Sequence, residues 1–271
     1  MKMLKLRDRT ITTELDAFVM GIVNATPDSF FDKSRTCVTD VSKMIESAPD
    51  IIDVGGESTR PGSAYVDEKE ELERVVKVIR QIRKVSDIPV SVDTRKYEVM
   101  KAAFDEGADI LNDISALEDD ERLADFACEK RIPVILMHKR GIPAIMQDNT
   151  EYADVFRETN DYLEKRCEFA LSRGIEADKI IVDPGIGFAK NLNGNFELMR
   201  NCGKLCSGKY MVLMALSRKS CLGEVTGRSV DERLAATVTA DIICVQNGAG
   251  IIRVHDVNEA FDSLKILKKL S

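Results

Sequence analysis

Tryptophan is absent from the 271 residues, and histidine occurs only twice. The seven cysteines, Cys37, Cys128, Cys167, Cys202, Cys206, Cys221 and Cys244, never fall as C-x-x-C. With so little histidine, the chain lacks the ligand spacing of a zinc site. An odd, scattered set of thiols also excludes a disulfide framework, and a reducing cytoplasm is the expected compartment. No apolar run approaches the roughly 20 residues that cross a bilayer. The opening segment MKMLKLRDRTITTELDAF carries charge throughout and has no apolar stretch of a secretory signal. There is no basic block, and the net charge is −7, so nucleic acid and membrane are not expected partners. Any anionic ligand must be held by a local cluster of cations acting against the overall sign. No Pro/Gly/Ser linker or low-complexity tract interrupts the chain, which argues for one domain over residues 1–271.

What the chain does have is repetition of a simple kind. Eight short apolar runs recur: FVMGIVN (18–24), DIIDVGG (50–56), IPVSVDT (88–94), DILNDIS (109–115), IPVILMH (132–138), IIVDPG (180–185), MVLMALS (211–217) and GIIRVHD (250–256). Strands so uniformly apolar are buried on both faces, as in a parallel sheet. Helical periodicity fills the gaps. DEKEELERVVKVIRQIRKV (67–85) opens acidic and closes basic, as the helix dipole favours. Strands alternating with helices predict an α/β fold, a single (β/α)8 barrel; a doubly wound open sheet is the alternative. Each run also ends in polar groups: Asn24, Asp53, Asp93, Asn112 with Asp113, His138, Asp183, Ser217-Arg218-Lys219, and Arg253 with His255. In a barrel these ends surround one mouth.

The polar segments form a recognisable series. GIVNATPDSFFD (21–32), DVGGESTRPGS (53–63), VDTRK (92–96), LNDISAL (111–117), LMH (136–138), DPGIGFAKN (183–191), LSRKSCLG (216–223) and RVHD (253–256) resemble the dihydropteroate synthases, in the family's order. The resemblance runs from about residue 18 to the C-terminus. It implies a (β/α)8 barrel, a homodimer, Mg2+ as cofactor, and the joining of p-aminobenzoate to a dihydropterin pyrophosphate with release of pyrophosphate. The chain departs from the family pattern in three places. No D-G-G follows the first-loop phenylalanine, Ala215 stands where glycine is usual, and Cys221 stands where phenylalanine is common. A pterin-binding relative with an altered or inactive first loop is therefore the competing reading.

The residue types suit this chemistry. The amide oxygen of Asn24 is a hard ligand for Mg2+, against the plainer reading of a turn-forming Asn. By resemblance, Asp28 and Asp32 are loop carboxylates, Asp32 assisting the metal or the developing pterin cation, and Phe30 shields the p-aminobenzoate. Arg60, between Thr59 and Pro61, can fork onto a phosphate or carboxylate; the alternative is a solvated surface arginine. Arg253 and His255 alternate on the last strand and can clamp the departing pyrophosphate, unless Arg253 is a core arginine paired with an Asp such as Asp256. The resemblance gives Asp183 and Lys219 the pterin ring, with Asp93 and Asn112 completing the pocket; a structural ion network is the alternative. Met137 and Phe188 look like its apolar walls, and Ser220, at a helix start, a seat for the p-aminobenzoate carboxylate. His138 is expected to be structural, since alternation turns it away from Met137. No nucleophilic Ser or Cys with an adjacent base is evident, so no covalent enzyme intermediate is needed. For the reaction the resemblance implies, the barrier is the C–O bond to pyrophosphate and the pterin can spread the charge left behind, which favours a dissociative, SN1-like displacement.

Overall fold

A computed structural model describes residues 1–25, 36–57, 66–141 and 149–271. An antiparallel hairpin, β1 (Lys2–Lys5) and β2 (Thr10–Thr13), precedes eight parallel strands. These are β3 (Phe18–Asn24), β4 (Ile51–Gly55), β5 (Val90–Asp93), β6 (Ile110–Asp113), β7 (Val134–Met137), β8 (Ile180–Asp183), β9 (Met211–Met214) and β10 (Ile251–Val254). They follow one another in chain order, and β10 pairs with β3, so the sheet is a closed barrel. Closure rules out the open doubly wound sheet.

Alternation divides the strand residues into two cores. Phe18, Met20, Ile51, Ile110, Ile135, Ile181, Leu213 and Ile251 fill the interior. Their neighbours, among them Val19, Ile52, Val54, Val92, Leu111, Leu136, Val182, Val212, Ile252 and Val254, face the helices. Both sets are buried, which is why the runs show no polar alternation. Leu4 and Leu6 of the hairpin pack onto the interior set and plug the barrel at the N-terminal end of its strands. The sequence reading did not anticipate this hairpin.

Among the described residues the helices are α1 (Thr36–Glu46), α2 (Glu68–Arg83), α3 (Tyr97–Asp105), α4 (Arg122–Lys130), α5 (Val155–Ser172), α6 (Leu192–Asn201), α7 (Ser220–Thr226), α8 (Leu234–Gln246) and α9 (Val257–Leu270). α2 shows why such segments form. The Asp67 carboxylate caps its first turn by accepting from the Lys69 N–H at 3.0 Å. Glu68, Glu70 and Glu71 open it, and Arg80 and Arg83 close it. Val75, Ile79 and Ile82 lie on its buried face. The passage from β9 to β10 holds two helices, the short α7, which starts at the barrel mouth, and α8.

The N-terminal end of the barrel holds a cavity of about 430 Å³ lined by Asp8, Arg9, Arg83, Asp87, Gly107 and Asp109. Its charges are spent on one another: Asp109 lies 2.8 Å from Arg83 and 3.6 Å from Arg9. Cys167, Cys202, Cys206, Cys221 and Cys244 are buried free thiols, and Cys128 is a half-buried one. Among the described residues no helix is long and apolar enough to cross a membrane.

Candidate active site

The strand register that packs the interior also builds the mouth. Above Ile51 on the inward face comes Asp53; above Ile110, Asn112; above Ile181, Asp183; above Ile251, Arg253. Asp53 pairs in register with Ser91, and Asp93 with Asn112. The alternate strands β4, β6, β8 and β10 therefore raise polar side chains into the mouth.

Arg253 is the hub. Its Nε donates to Asp53 at 2.6 Å, and one terminal nitrogen donates to Asp93 at 3.2 Å. The Asn112 amide nitrogen donates to the Asp53 carboxylate, 3.3 and 3.4 Å from its two oxygens. Asp53 is 0% exposed. Burial pulls the Arg253 pKa down, but Asp53 and then Asp93 more than offset it, so the guanidinium stays charged. Burial pushes Asp93 well above the usual carboxylate range; Arg253 opposes the shift and Asp53 adds to it. The competing reading of Arg253 as a paired arginine is therefore right about pairing and wrong about the partner. Asp256 pairs instead with Arg218, whose guanidinium reaches it at 2.7 and 3.2 Å.

Asp183 and Lys219 occupy the other side. Burial raises Asp183 above its ordinary range, against the Gly185 N–H, which donates to it at 2.7 Å, and the nearby Lys219 charge. Burial lowers Lys219 to about 8, with Asp183 opposing. The Lys219 ammonium lies 4.5 Å from the centroid of the Phe188 ring. Phe188, Met137, Ile114 and Ala189 form a separate small apolar cluster. The Met137–Phe188 wall and the Asp183–Lys219 pair thus lie side by side.

The remaining candidates sit around this core. Asn24 ends β3 opposite Gly55, exposed at the mouth. His255 follows β10, and its Nδ1 lies 2.9 Å from the Ser217 hydroxyl, tying the ends of β9 and β10 together. Ser220 is the first residue of α7 and is exposed, with Lys219 at the N-cap. Asp28, Phe30, Asp32, Thr59, Arg60 and Pro61 lie outside the described residues. Where β4 ends, Glu57 lies 3.5 Å from Arg95 and 3.6 Å from Lys96. The buried Glu71 accepts from Thr94 at 2.6 Å and from Lys96. This network braces the exits of β4 and β5.

The segment after β8 is tightly sewn. Asn195 of α6 accepts from the Gly187 N–H at 2.7 Å and donates to the Lys190 carbonyl at 3.1 Å. Gly185 and Gly187 have φ of +68° and +84°, the left-handed region where glycine is favoured. His138 is buried, with its ring edge-on to Tyr162 at 5.0 Å, in keeping with the structural role expected for it.

Sequence reading placed Asp53 at the mouth without giving it a role, and it missed Lys190 and Asn195. For Asp53 a signal existed: two residues beyond Ile51 in one strand, it must face the same way, and a carboxylate turned into a barrel demands a cation. For Lys190 and Asn195 no local pattern distinguishes them from ordinary loop and helix residues.

A closed barrel whose C-terminal mouth carries convergent Asp, Asn, Lys and Arg side chains is the architecture of a barrel enzyme acting on a small polar molecule. Comparison with known proteins makes this specific. The model of the pterin binding enzyme family matches residues 20–255, and the chain belongs to that family. It is 42% identical over 253 residues to the dihydropteroate synthase of Haemophilus influenzae, a match covering 92% of each chain. The dihydropteroate synthase of Xanthomonas albilineans, solved with 4-aminobenzoic acid, superposes with a TM-score of 0.91 at 39% identity, covering 99% of this chain and 97% of that one. The Burkholderia cenocepacia enzyme complexed with 7,8-dihydropteroate gives 0.87 at 35% identity, covering 99% and 96%.

Proposed function

We propose that the chain is a dihydropteroate synthase. In this reading it condenses 6-hydroxymethyl-7,8-dihydropterin pyrophosphate with p-aminobenzoate to give 7,8-dihydropteroate and pyrophosphate. The observation that carries the reading is the single mouth into which Asp93, Asn112, Asp183, Lys219 and Arg253 converge beside the Met137–Phe188 wall. A flat heterocycle with an amide-like edge needs such a set: Asp183 accepts from neighbouring ring N–H groups, Asn112 and Lys219 donate to ring nitrogen and carbonyl, and Phe188 and Met137 cover its faces. The relatives solved with 4-aminobenzoic acid and with 7,8-dihydropteroate support the one as substrate and the other as product.

The barrier lies in breaking the carbon–oxygen bond to pyrophosphate. The electron pair leaves with the oxygen, and Arg253 and His255, with Arg60, meet the charge that accumulates there. The positive charge left behind spreads over the pterin ring. Burial raises the pKa of Asp93, and a developing cation beside it favours the ionised carboxylate, which makes Asp93 the natural counter-charge. The aromatic amine is a neutral nucleophile at pH 7, so its nitrogen captures the carbon without a strong base and loses its proton afterwards. The displacement is SN1-like, and the Ser220 end of α7 takes the carboxylate of p-aminobenzoate.

Mg2+ fits the donors present. Asn24 offers an exposed amide oxygen at the mouth, and Mg2+ characteristically takes one or two protein ligands together with phosphate oxygens and water. Asp28 and Asp32 belong to the same sequence stretch. Bound there, the ion would neutralise charge on the leaving pyrophosphate. A homodimer is supported by exposed apolar side chains on the last two helices, including Ile243 on α8 and Ile266 on α9. The free thiols suit the cytoplasm.

Purified protein supplied with both substrates and Mg2+ is expected to form pteroate and pyrophosphate in equal amounts, and a chelator to abolish both. Binding of the pterin without turnover would select the altered, non-catalytic relative instead.

A further inference from the structure

Lys190 lies at the end of the segment following β8, 4% exposed, and among the described residues no carboxylate is one of its hydrogen-bond partners. Its ammonium nitrogen is 2.9 Å from His138 Nδ1, 3.0 Å from the Gly185 carbonyl oxygen and 2.9 Å from the Phe188 carbonyl oxygen. An ammonium has three N–H donors and no lone pair, so three acceptors use it completely. The arrangement requires a lone pair on His138 Nδ1, hence a neutral ring protonated at Nε2. Burial, with the Lys190 and Arg140 charges, lowers the His138 pKa to about 2 and keeps it neutral. The His138 backbone is bound to the same region, its N–H donating to the Asp183 carbonyl at 2.9 Å.

The anchors are placed tellingly. Gly185 is two residues from Asp183, and its N–H donates to that carboxylate. Phe188 supplies both an anchor carbonyl and the ring beside Lys219. We propose that Lys190 is a positioning residue for the pterin end of the site, its ammonium fixing the Asp183–Phe188 segment against the end of β7 through three hydrogen bonds. This rests on the pterin reading above. Lys190 is not a catalytic residue, because every N–H it carries is committed to protein.

A clamp that needs three protons has a direction with pH. The charged and titratable groups facing Lys190 are Asp183 on its own segment, His138 and Arg140 after β7, and Lys219 after β9. Burial lowers Lys190 to about 7; Asp183 opposes the shift, and Lys219 and Arg140 add to it. Loss of the proton leaves two donors, and the new lone pair faces an acceptor. The clamp is therefore complete below about pH 7 and weakens as pH rises through that value.

The test is calorimetric titration of dihydropterin pyrophosphate with Mg2+ into wild type and Lys190→Met, at pH 6 and pH 8, with KM for both substrates measured alongside. Lys190→Met is expected to weaken pterin binding at pH 6 by tenfold or more, to change KM for p-aminobenzoate less than twofold, and to flatten the wild-type loss of affinity between the two pH values. His138→Phe keeps a ring against Tyr162 and removes one acceptor; it should weaken pterin binding two- to fivefold and serves if Lys190→Met does not fold. Unchanged pterin affinity in either folded variant overturns the clamp, as does an equal loss for both substrates with an unaltered pH dependence. A wild type that binds dihydropterin normally while the variants match it sinks only the clamp; a wild type that binds none sinks the pterin reading as well.

Discussion

Arg253→Met is expected to lower kcat/KM for pteroate formation by about 2–4 kcal/mol of transition-state stabilisation. It is also expected to cost about 3–5 kcal/mol of folding stability, the usual result of stranding one member of a buried ion pair. Both losses trace to one guanidinium. Asp53 is fully buried, and among the described residues its hydrogen-bond partners besides Arg253 reduce to the Asn112 amide, at 3.3–3.4 Å, so removing the cation takes away the counter-charge the described residues give it. Arg253→Lys separates the two effects. A single ammonium restores charge but cannot present the planar fork that reaches Asp53 and Asp93 together. Stability should return in part while turnover stays low. Urea denaturation and steady-state kinetics on the two variants decide the matter; a methionine variant as stable and as active as wild type would remove Arg253 from the account.

Gly185→Ala carries the second large effect, about 2–5 kcal/mol of stability, with loss of pterin binding. A Cβ on Gly185 would stand 2.0 Å from the His138 carbonyl oxygen, and its φ is +68°. The left-handed conformation costs a non-glycine residue about 1–2 kcal/mol, and relieving overlap in a packed site typically costs about 1–3 kcal/mol more. The atom in the way is backbone and cannot rotate aside, so the segment must move and take Asp183 and Phe188 with it. Gly187→Ala is the control. Its added Cβ would meet Lys219 Cδ at 3.3 Å, a side chain that can yield. Thermal denaturation should rank Gly185→Ala clearly below Gly187→Ala; the reverse order would contradict the packing described.

The barrel was legible because parallel strands covered on both faces become plain apolar runs, and each of the eight runs contains an observed strand. The hairpin before the first of them was not. Its inward residues Leu4 and Leu6 give only one period of alternation, among charges that solvent accommodates. In the site, strand-end position brought Asp93, Asn112, Asp183, Lys219 and Arg253 forward, and these do converge. The partners of Arg253 escaped because Asp53 is 200 residues away in sequence and reaches it only through closure of the barrel. Lys190 escaped for the same reason, since His138, 52 residues earlier, shares no local pattern with it. Spacing along a chain reveals which residues share a face, whereas pairing across strands appears only when the sheet closes.

The central claim is that this mouth expels pyrophosphate from carbon so that an amine can take its place. Turnover of dihydropterin pyrophosphate labelled with ¹⁸O in the bridge between the methylene carbon and phosphorus tests it most directly. In the presence of Mg2+ and p-aminobenzoate, pteroate should form and the label should leave entirely in the released pyrophosphate. Absence of pteroate, or pyrophosphate released without the label, would contradict the account.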